Sequence, residues 1–162
     1  MFGSNKNKKS LYAVASGKLL PLSAVPDEAF ASGLLGDGYA IDPTEGIVYS
    51  PVAGKVAQVT EGLHAYTIES EDGLDILVHI GIDTVELHGA PFSPKVAAGD
   101  RVAVGDVLAH VDLAKIRGAG YSPIIPVLIA NVGEVASYRL AEGTMEGGKT
   151  VAMTYHTQKG ET

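Results

Sequence analysis

Cysteine and tryptophan are both absent from the 162 residues, and cations are scarce, 12 Lys and Arg against 19 Asp and Glu. Without a thiol the chain has no disulfide framework, no cysteine-ligated zinc, no iron-sulfur cluster and no thiolate nucleophile, so covalent chemistry must use another side chain. That usage fits a reducing compartment. Three of the few cations, Lys6, Lys8 and Lys9, lie in the first nine residues, leaving 9 basic and 19 acidic groups beyond them, a net of −10. Such a body repels nucleic acid, whose binding depends on neutralising phosphates. Long apolar runs are missing too. The stretches around 124–132 and 74–87 are too short, or too interrupted by Asp75, His79, Asp83 and Glu86, to span a bilayer. The lysines before Leu11 to Gly17 faintly imitate a secretory leader, but Lys18 ends the apolar run early, and residues 1–10 are expected as a mobile basic tail.

What is present points to one all-β domain over residues 11–157, followed by a short tail at 158–162. Hydrophobic residues make up 46% of the chain, enough for a core at this length without staples. Short Val, Ile, Leu and Tyr runs alternate with Gly-Asp, Asp-Gly and Glu-Gly punctuation, which predicts an antiparallel β-sandwich or barrel of at least eight strands. Only two short helical turns are signalled, one entered at Pro26 or Asp27 and one over Asp112–Arg117 before Gly118 and Gly120. Tyr12 to Leu19 echoes Tyr49 to Val56 at an offset of 37, sharing Tyr, Gly, Lys and an apolar end, as an internal duplication would. Gly-Asp also recurs at 99–100 and 105–106 around a short β-branched strand.

The most informative segment runs from His64 to Ile80 and reads as a hairpin turning through Ser70-Glu71-Asp72-Gly73. A four-residue loop sets His64 directly across from His79, a two-residue Asp72-Gly73 loop makes them diagonal on one face, and an unbulged odd loop separates them. Leu74, Ile76, Val78 and Ile80 alternate onto the core side, so Asp75, Leu77 and His79 face away. On the first strand His64 shares its face with Tyr66 and Ile68, and that face is expected to form a shallow, partly covered apolar depression holding both histidines.

A neutral imidazole nitrogen can accept a phosphoryl group as a phosphoramidate, while a second ring donates N–H to its oxygens. Two surface histidines with no common task are the plain alternative. Zinc is the rival chemistry: two imidazoles are half a tetrahedral site and Asp83 follows His79 by four residues, but no later His-x-His completes a peptidase set. No metal is required by this reading, although adventitious zinc at His64 and His79 is compatible with it. His88, His110 and His156 stand alone and read as solvated surface.

Val78-His79-Ile80-Gly81-Ile82-Asp83-Thr84-Val85-Glu86-Leu87 closely resembles the phosphohistidine signature of the glucose-type enzyme IIA family of the bacterial phosphoenolpyruvate:sugar phosphotransferase system (PTS). The likeness extends through Gly17-Lys18-Leu19, Val25-Pro26-Asp27, Gly36 to Ile41, Ser50 to Gly54, His64-Ala65, Val102 to Asp106 and Pro126 to Asn131, so it covers roughly 11–155. It implies a cytoplasmic β-sandwich that relays phosphate from the phosphocarrier protein HPr to a cysteine of a sugar permease's IIB domain, touching the membrane only through that permease. It implies His79 as acceptor through Nε2 and His64 as stabiliser, with no cofactor. It also implies Asp27 and Asp83 as acidic docking groups, and Phe30, Leu34, Leu35, Leu77 and Val85 as the apolar rim where HPr and IIB dock in turn. Members often carry Thr-x-His, whereas this chain has Gly62-Leu63-His64, so an orienting hydroxyl is expected to be missing; Thr60 replaces a larger apolar rim residue. Two other functions compete: a regulatory protein whose unphosphorylated rim inhibits transporters or kinases, and a biotinyl or lipoyl carrier, for which Lys55, Lys95, Lys115 and Lys149 lack the usual setting.

Overall fold

The structure is a computed structural model and describes residues 8–157. Its strands are β1 (Lys8–Tyr12), β2 (Gly17–Pro21), β3 (Asp37–Pro43), β4 (Ile47–Tyr49), β5 (Gly54–Val59), β6 (Ala65–Ser70) and β7 (Asp75–His79). They continue with β8 (Phe92–Pro94), β9 (Arg101–Val102), β10 (Val107–Val111), β11 (Ile125–Ile129), β12 (Val135–Leu140), β13 (Thr144–Met145) and β14 (Val151–Thr157). All ladders are antiparallel. They form an eight-stranded sheet ordered β13-β2-β3-β11-β7-β6-β5-β9 and two three-stranded sheets, β4-β10-β8 and β1-β14-β12. The expected tail extends three residues too far, because Lys8, Lys9 and Ser10 already pair with β14. Residues 1–7 and 158–162 lie outside the described residues.

Both helical turns form where their entrance signals stand. Helix α1 (Glu28–Ala31) has Asp27 as its N-cap, the carboxylate accepting from Ala29 N–H, and α2 (Leu113–Gly118) is capped by Asp112 in the same manner, its carboxylate accepting from Lys115 N–H.

The echo near residues 12 and 49 is a duplication with its own internal symmetry. Tyr12 N–H donates to the Pro51 carbonyl at 3.0 Å and Tyr49 N–H to the Val14 carbonyl at 2.7 Å, so an offset of 37 carries each bond onto the other. Leu19 N–H bonds to Gly143 and, one repeat later, Val56 N–H bonds to Asp100. Gly17 and Gly54 open the equivalent strands β2 and β5, where any Cβ would strike the carbonyl of the facing strand, Asp42 or Glu69. The shared Gly is therefore kept by geometry in both halves.

Two apolar clusters matter for the site. The main core lies between the sheets and includes Tyr39, Tyr66, Ile68, Ile76, Val78 and Ile80, all fully buried. A smaller one covers the outer face of the eight-stranded sheet and packs Leu22, Val25 and Phe30 onto Ala40, Leu128 and Ile82, with Leu77 at its margin. His79 sits at its end.

The hairpin takes the third of the expected registers, the unbulged odd loop that by strand alternation alone would separate the two histidines. Glu69 pairs with Asp75 and Ala65 with His79, while Ser70 N–H bonds to the Leu74 carbonyl, leaving Glu71, Asp72 and Gly73 as a three-residue loop. Gly73 takes the left-handed φ of +90°, which lets an odd loop close the hairpin. The core face of β7 is as expected. Tyr66 and Ile68, however, join Ile76 and Val78 in the main core and do not wall a depression around the histidines.

Candidate functional site

With Ala65 opposite His79, alternation alone would send His64 to the core side of the sheet. It does not go there, because the chain kinks just before β6. Leu63 has φ of 63°, in the left-handed region, its N–H closes a turn onto Thr60, and the Ile80 N–H still reaches the His64 carbonyl at 2.7 Å. The kink turns the His64 ring toward His79: the ring centroids are 5.1 Å apart and the planes lie 77° from parallel, edge to face. The pair forms, through a backbone kink and not through strand register.

His79 is half-buried, with three neighbours that define its chemistry. Its Nδ1 lies 2.8 Å from the Gly81 carbonyl, an acceptor only, so Nδ1 carries the proton and Nε2 keeps its lone pair, without a partner among the described residues. Gly81 is held by the same local design, since its φ of +85° needs glycine and its N–H is pinned to the Ile124 carbonyl. Phe30 meets the His79 ring edge-on at 5.0 Å. Burial lowers the His79 pKa; the Gly81 carbonyl works against this, the neighbouring His64 adds to it, and the carboxylates of Asp27 and Asp83 oppose it. The ring is neutral at pH 7 and nucleophilic at one nitrogen.

His64 is buried, and burial lowers its pKa as well, with the Gly62 backbone opposing. Its Nδ1 stands 3.3 Å from the Thr60 hydroxyl oxygen. That same hydroxyl oxygen accepts from Ala65 N–H at 3.1 Å, so Thr60 ties the ring to the start of β6. The expected loss of an orienting hydroxyl is therefore corrected: Gly62 brings none, and Thr60 supplies one from four residues upstream. A Cβ at Gly62 would lie 3.0 Å from His64 Nδ1, so a larger residue there would require the His64 ring to shift by a few tenths of an ångström. Sequence reading missed Thr60 because it was weighed only as rim surface. The Gly81 carbonyl has no side-chain signature.

Around the pair, the other predicted residues divide into two groups. Leu34, Leu35 and Val85 are exposed at 85%, 45% and 48%, unusual for apolar side chains of their size. Asp83 is exposed and left-handed at φ of 62°, two residues before Val85 and acting electrostatically on His79. Phe30, by contrast, is buried and Leu77 half-buried, so these two form the wall and floor behind His79 and not an open rim. Asp27 serves twice, capping α1 and facing His79 with its charge. His88 is nearer than expected for an isolated surface residue: with Thr60, Glu61, Gly62, His64 and Val85 it lines a depression of about 420 Å³. Among the described residues no three His, Asp or Glu side chains are grouped to hold a metal ion, so the pair alone offers zinc half a tetrahedral shell.

A duplicated β-sandwich with one nucleophilic imidazole nitrogen, a second ring against it and an exposed apolar margin defines a protein that takes up a small electrophilic group and hands it to visiting proteins. The chain belongs to the EIIA 1 family of the phosphoenolpyruvate-dependent sugar phosphotransferase system, whose sequence profile matches residues 9–135. It is 36% identical over 168 residues to the glucose-specific EIIA component of Halalkalibacterium halodurans, an alignment covering 98% of this chain and 97% of that protein. It is 41% identical over 142 residues, 88% of its length, to the glucose-specific EIICBA component of Streptococcus pneumoniae, of which it spans only 20%. In three dimensions it matches the glucose permease IIA of Mycoplasma capricolum with a TM-score of 0.85 and 33% identity, over 90% of this chain and 95% of that one. It is a PTS phosphotransferase component of the IIA type.

Proposed function

We propose that His79 is the phosphoryl acceptor and that the chain carries phosphate from phospho-HPr to the IIB cysteine of a sugar permease, in the cytoplasm. The observation that carries this reading is the Nδ1 bond to Gly81, which leaves Nε2 as the free base. In the first step a P–N bond forms at Nε2 as the bond from phosphorus to the donor breaks. The ring, still protonated at Nδ1, gains positive character that the Gly81 carbonyl and the charges of Asp27 and Asp83 offset. In the second step that P–N bond breaks as sulfur bonds to phosphorus. His64 acts from the side, its Nε2 edge donating to a phosphoryl oxygen, with Thr60 as its positioning residue. Leu34, Leu35 and Val85 form the docking margin, and Asp83 faces basic groups of the partners. Glucose is the substrate class the relatives' names favour. A resident metal is not proposed: zinc bound at His64 and His79 would draw its remaining ligands from elsewhere.

Intact mass spectrometry after incubation with phosphoenolpyruvate, enzyme I and HPr tests this. One phosphoryl group is expected, labile in acid and stable in base, and absent in His79→Gln. An unchanged adduct in that variant would defeat the assignment.

A further inference from the structure

The sheet β1-β14-β12 carries a second polar concavity that the relay does not use. Its register sets Lys8, His156 and Ser137 abreast, and Ser10, Thr154 and Arg139 abreast in the next row but one. Adjacent strands lie about 4.8 Å apart and alternate residues share a face, so these six groups point out of one side of the sheet. Five of them, with Tyr138, line a depression of about 520 Å³. That volume lies in the range of small-molecule clefts and exceeds what a bare phosphate fills.

Three features mark this depression as a site for an anion. Lys8 and Arg139 are exposed and make no ion pair with any described carboxylate; the only ion pair among the described residues joins Lys149 to Glu146. The side chains of Ser137, Thr154 and His156 likewise have no hydrogen-bond partner among the described residues. The lining contains no acid, in a chain with a net charge of −7. Two fixed cations, a guanidinium fork that grips two oxygens at once, and two free hydroxyls suit a tetrahedral oxyanion.

We propose that this groove binds a phosphorylated metabolite of sugar size, the phosphate held by Lys8 and Arg139 and the hydroxyl-bearing body lying toward Ser137 and Thr154. The site is separate from the histidine pair, and its test does not depend on relay activity. The 162-residue chain, labelled with ¹⁵N, is titrated with glucose 6-phosphate, with glucose, and with sodium sulfate at matched ionic strength. Saturable amide shifts confined to residues 8, 137–139 and 154–156 are expected with glucose 6-phosphate alone, and at least about tenfold weaker binding in the double variant Lys8→Gln, Arg139→Gln. That variant should still accept phosphate at His79, which shows that it is folded. Shifts spread evenly over surface lysines, equal effects from sulfate, or unchanged binding in the double variant would overturn the proposal. A parallel flotation assay uses phosphatidate vesicles: capture by vesicles without a response to glucose 6-phosphate would assign the phosphate to a lipid headgroup and overturn the soluble ligand.

Discussion

His64 and His79 have the same side chain and opposite assignments, and the difference lies in what each Nδ1 meets. A carbonyl can only accept, so His79 must place its proton on Nδ1; the Thr60 hydroxyl can donate either to His64 Nδ1 or to the Ala65 carbonyl, and in the first orientation His64 keeps its proton on Nε2, as the proposed role requires. Thr60→Val removes the hydroxyl and also leaves the Ala65 N–H without its acceptor, whereas Thr60→Ser keeps both contacts. A lost hydrogen bond of about 1 kcal/mol corresponds to roughly fivefold in rate, so transfer to IIB should fall by about that factor in Thr60→Val and recover in Thr60→Ser. The readout that separates positioning from mere stability is the ¹⁵N spectrum of the ring: Thr60→Val should raise the Nδ1–H population of His64. Thr60→Val with an unaltered ring spectrum would remove the role. The apolar margin is a residue-scale matter as well. Leu34→Asp and Val85→Asp sit on exposed positions, so they should leave the melting temperature within a few degrees while slowing phosphorylation by phospho-HPr at least about tenfold. Unchanged rates in both would move the docking surface elsewhere.

At the scale of elements, α1 is only four residues long and owes its place to one cap and one buried ring. Asp27→Ala removes the carboxylate that accepts from Ala29 N–H, at a cost of about 1 kcal/mol, and frees Phe30 from the His79 ring it meets at 5.0 Å. Hydrogen exchange is expected to quicken in residues 28–31 with little change in the eight-stranded sheet; uniform destabilisation would show that α1 is not a separate unit. Much at this scale was legible in the sequence. Asp27 and Asp112 announced both helices, the apolar alternation at 74–80 gave the core face of β7, and the Tyr-x₄-Gly-Lys echo marked the duplicated strands. The hairpin register was not legible, because Asp72-Gly73 fits loops of more than one length and a single residue of slip reverses every side chain. Two contacts hold it, and neither has a local signature: Asn131, far along the chain, accepts from Asp75 N–H and donates to the Gly73 carbonyl. The kink at Leu63 was likewise unreadable, since leucine carries no preference for positive φ. The motif around His79 was recognisable, but the route by which His64 reaches it depends on that kink.

For the whole molecule, the two halves of the duplication build the sandwich, and the site lies on the outer face of the large sheet, away from the main core. The chain can therefore vary its surface chemistry without disturbing the interior. The two lowered histidine pKa values tie the site to global stability. Both rings are easier to protonate unfolded than folded, so the unfolded chain binds more protons below its histidine range, near pH 6.5. Stability contributed by the neutral pair is complete above that pH and is lost as pH falls toward the lowered folded values. Urea midpoints measured from pH 7.5 down to 5.5 should therefore decline more steeply for this protein than for a His64→Gln, His79→Gln double variant; parallel curves would show that the pair is not kept neutral by the fold.

The most direct test of the central claim is to see which nitrogen bears the phosphorus. The phosphorylated, ¹⁵N-labelled protein should show ³¹P–¹⁵N coupling to Nε2 of His79, with Nδ1 still protonated and bonded to Gly81. Coupling to Nδ1, or to either nitrogen of His64, would contradict the account.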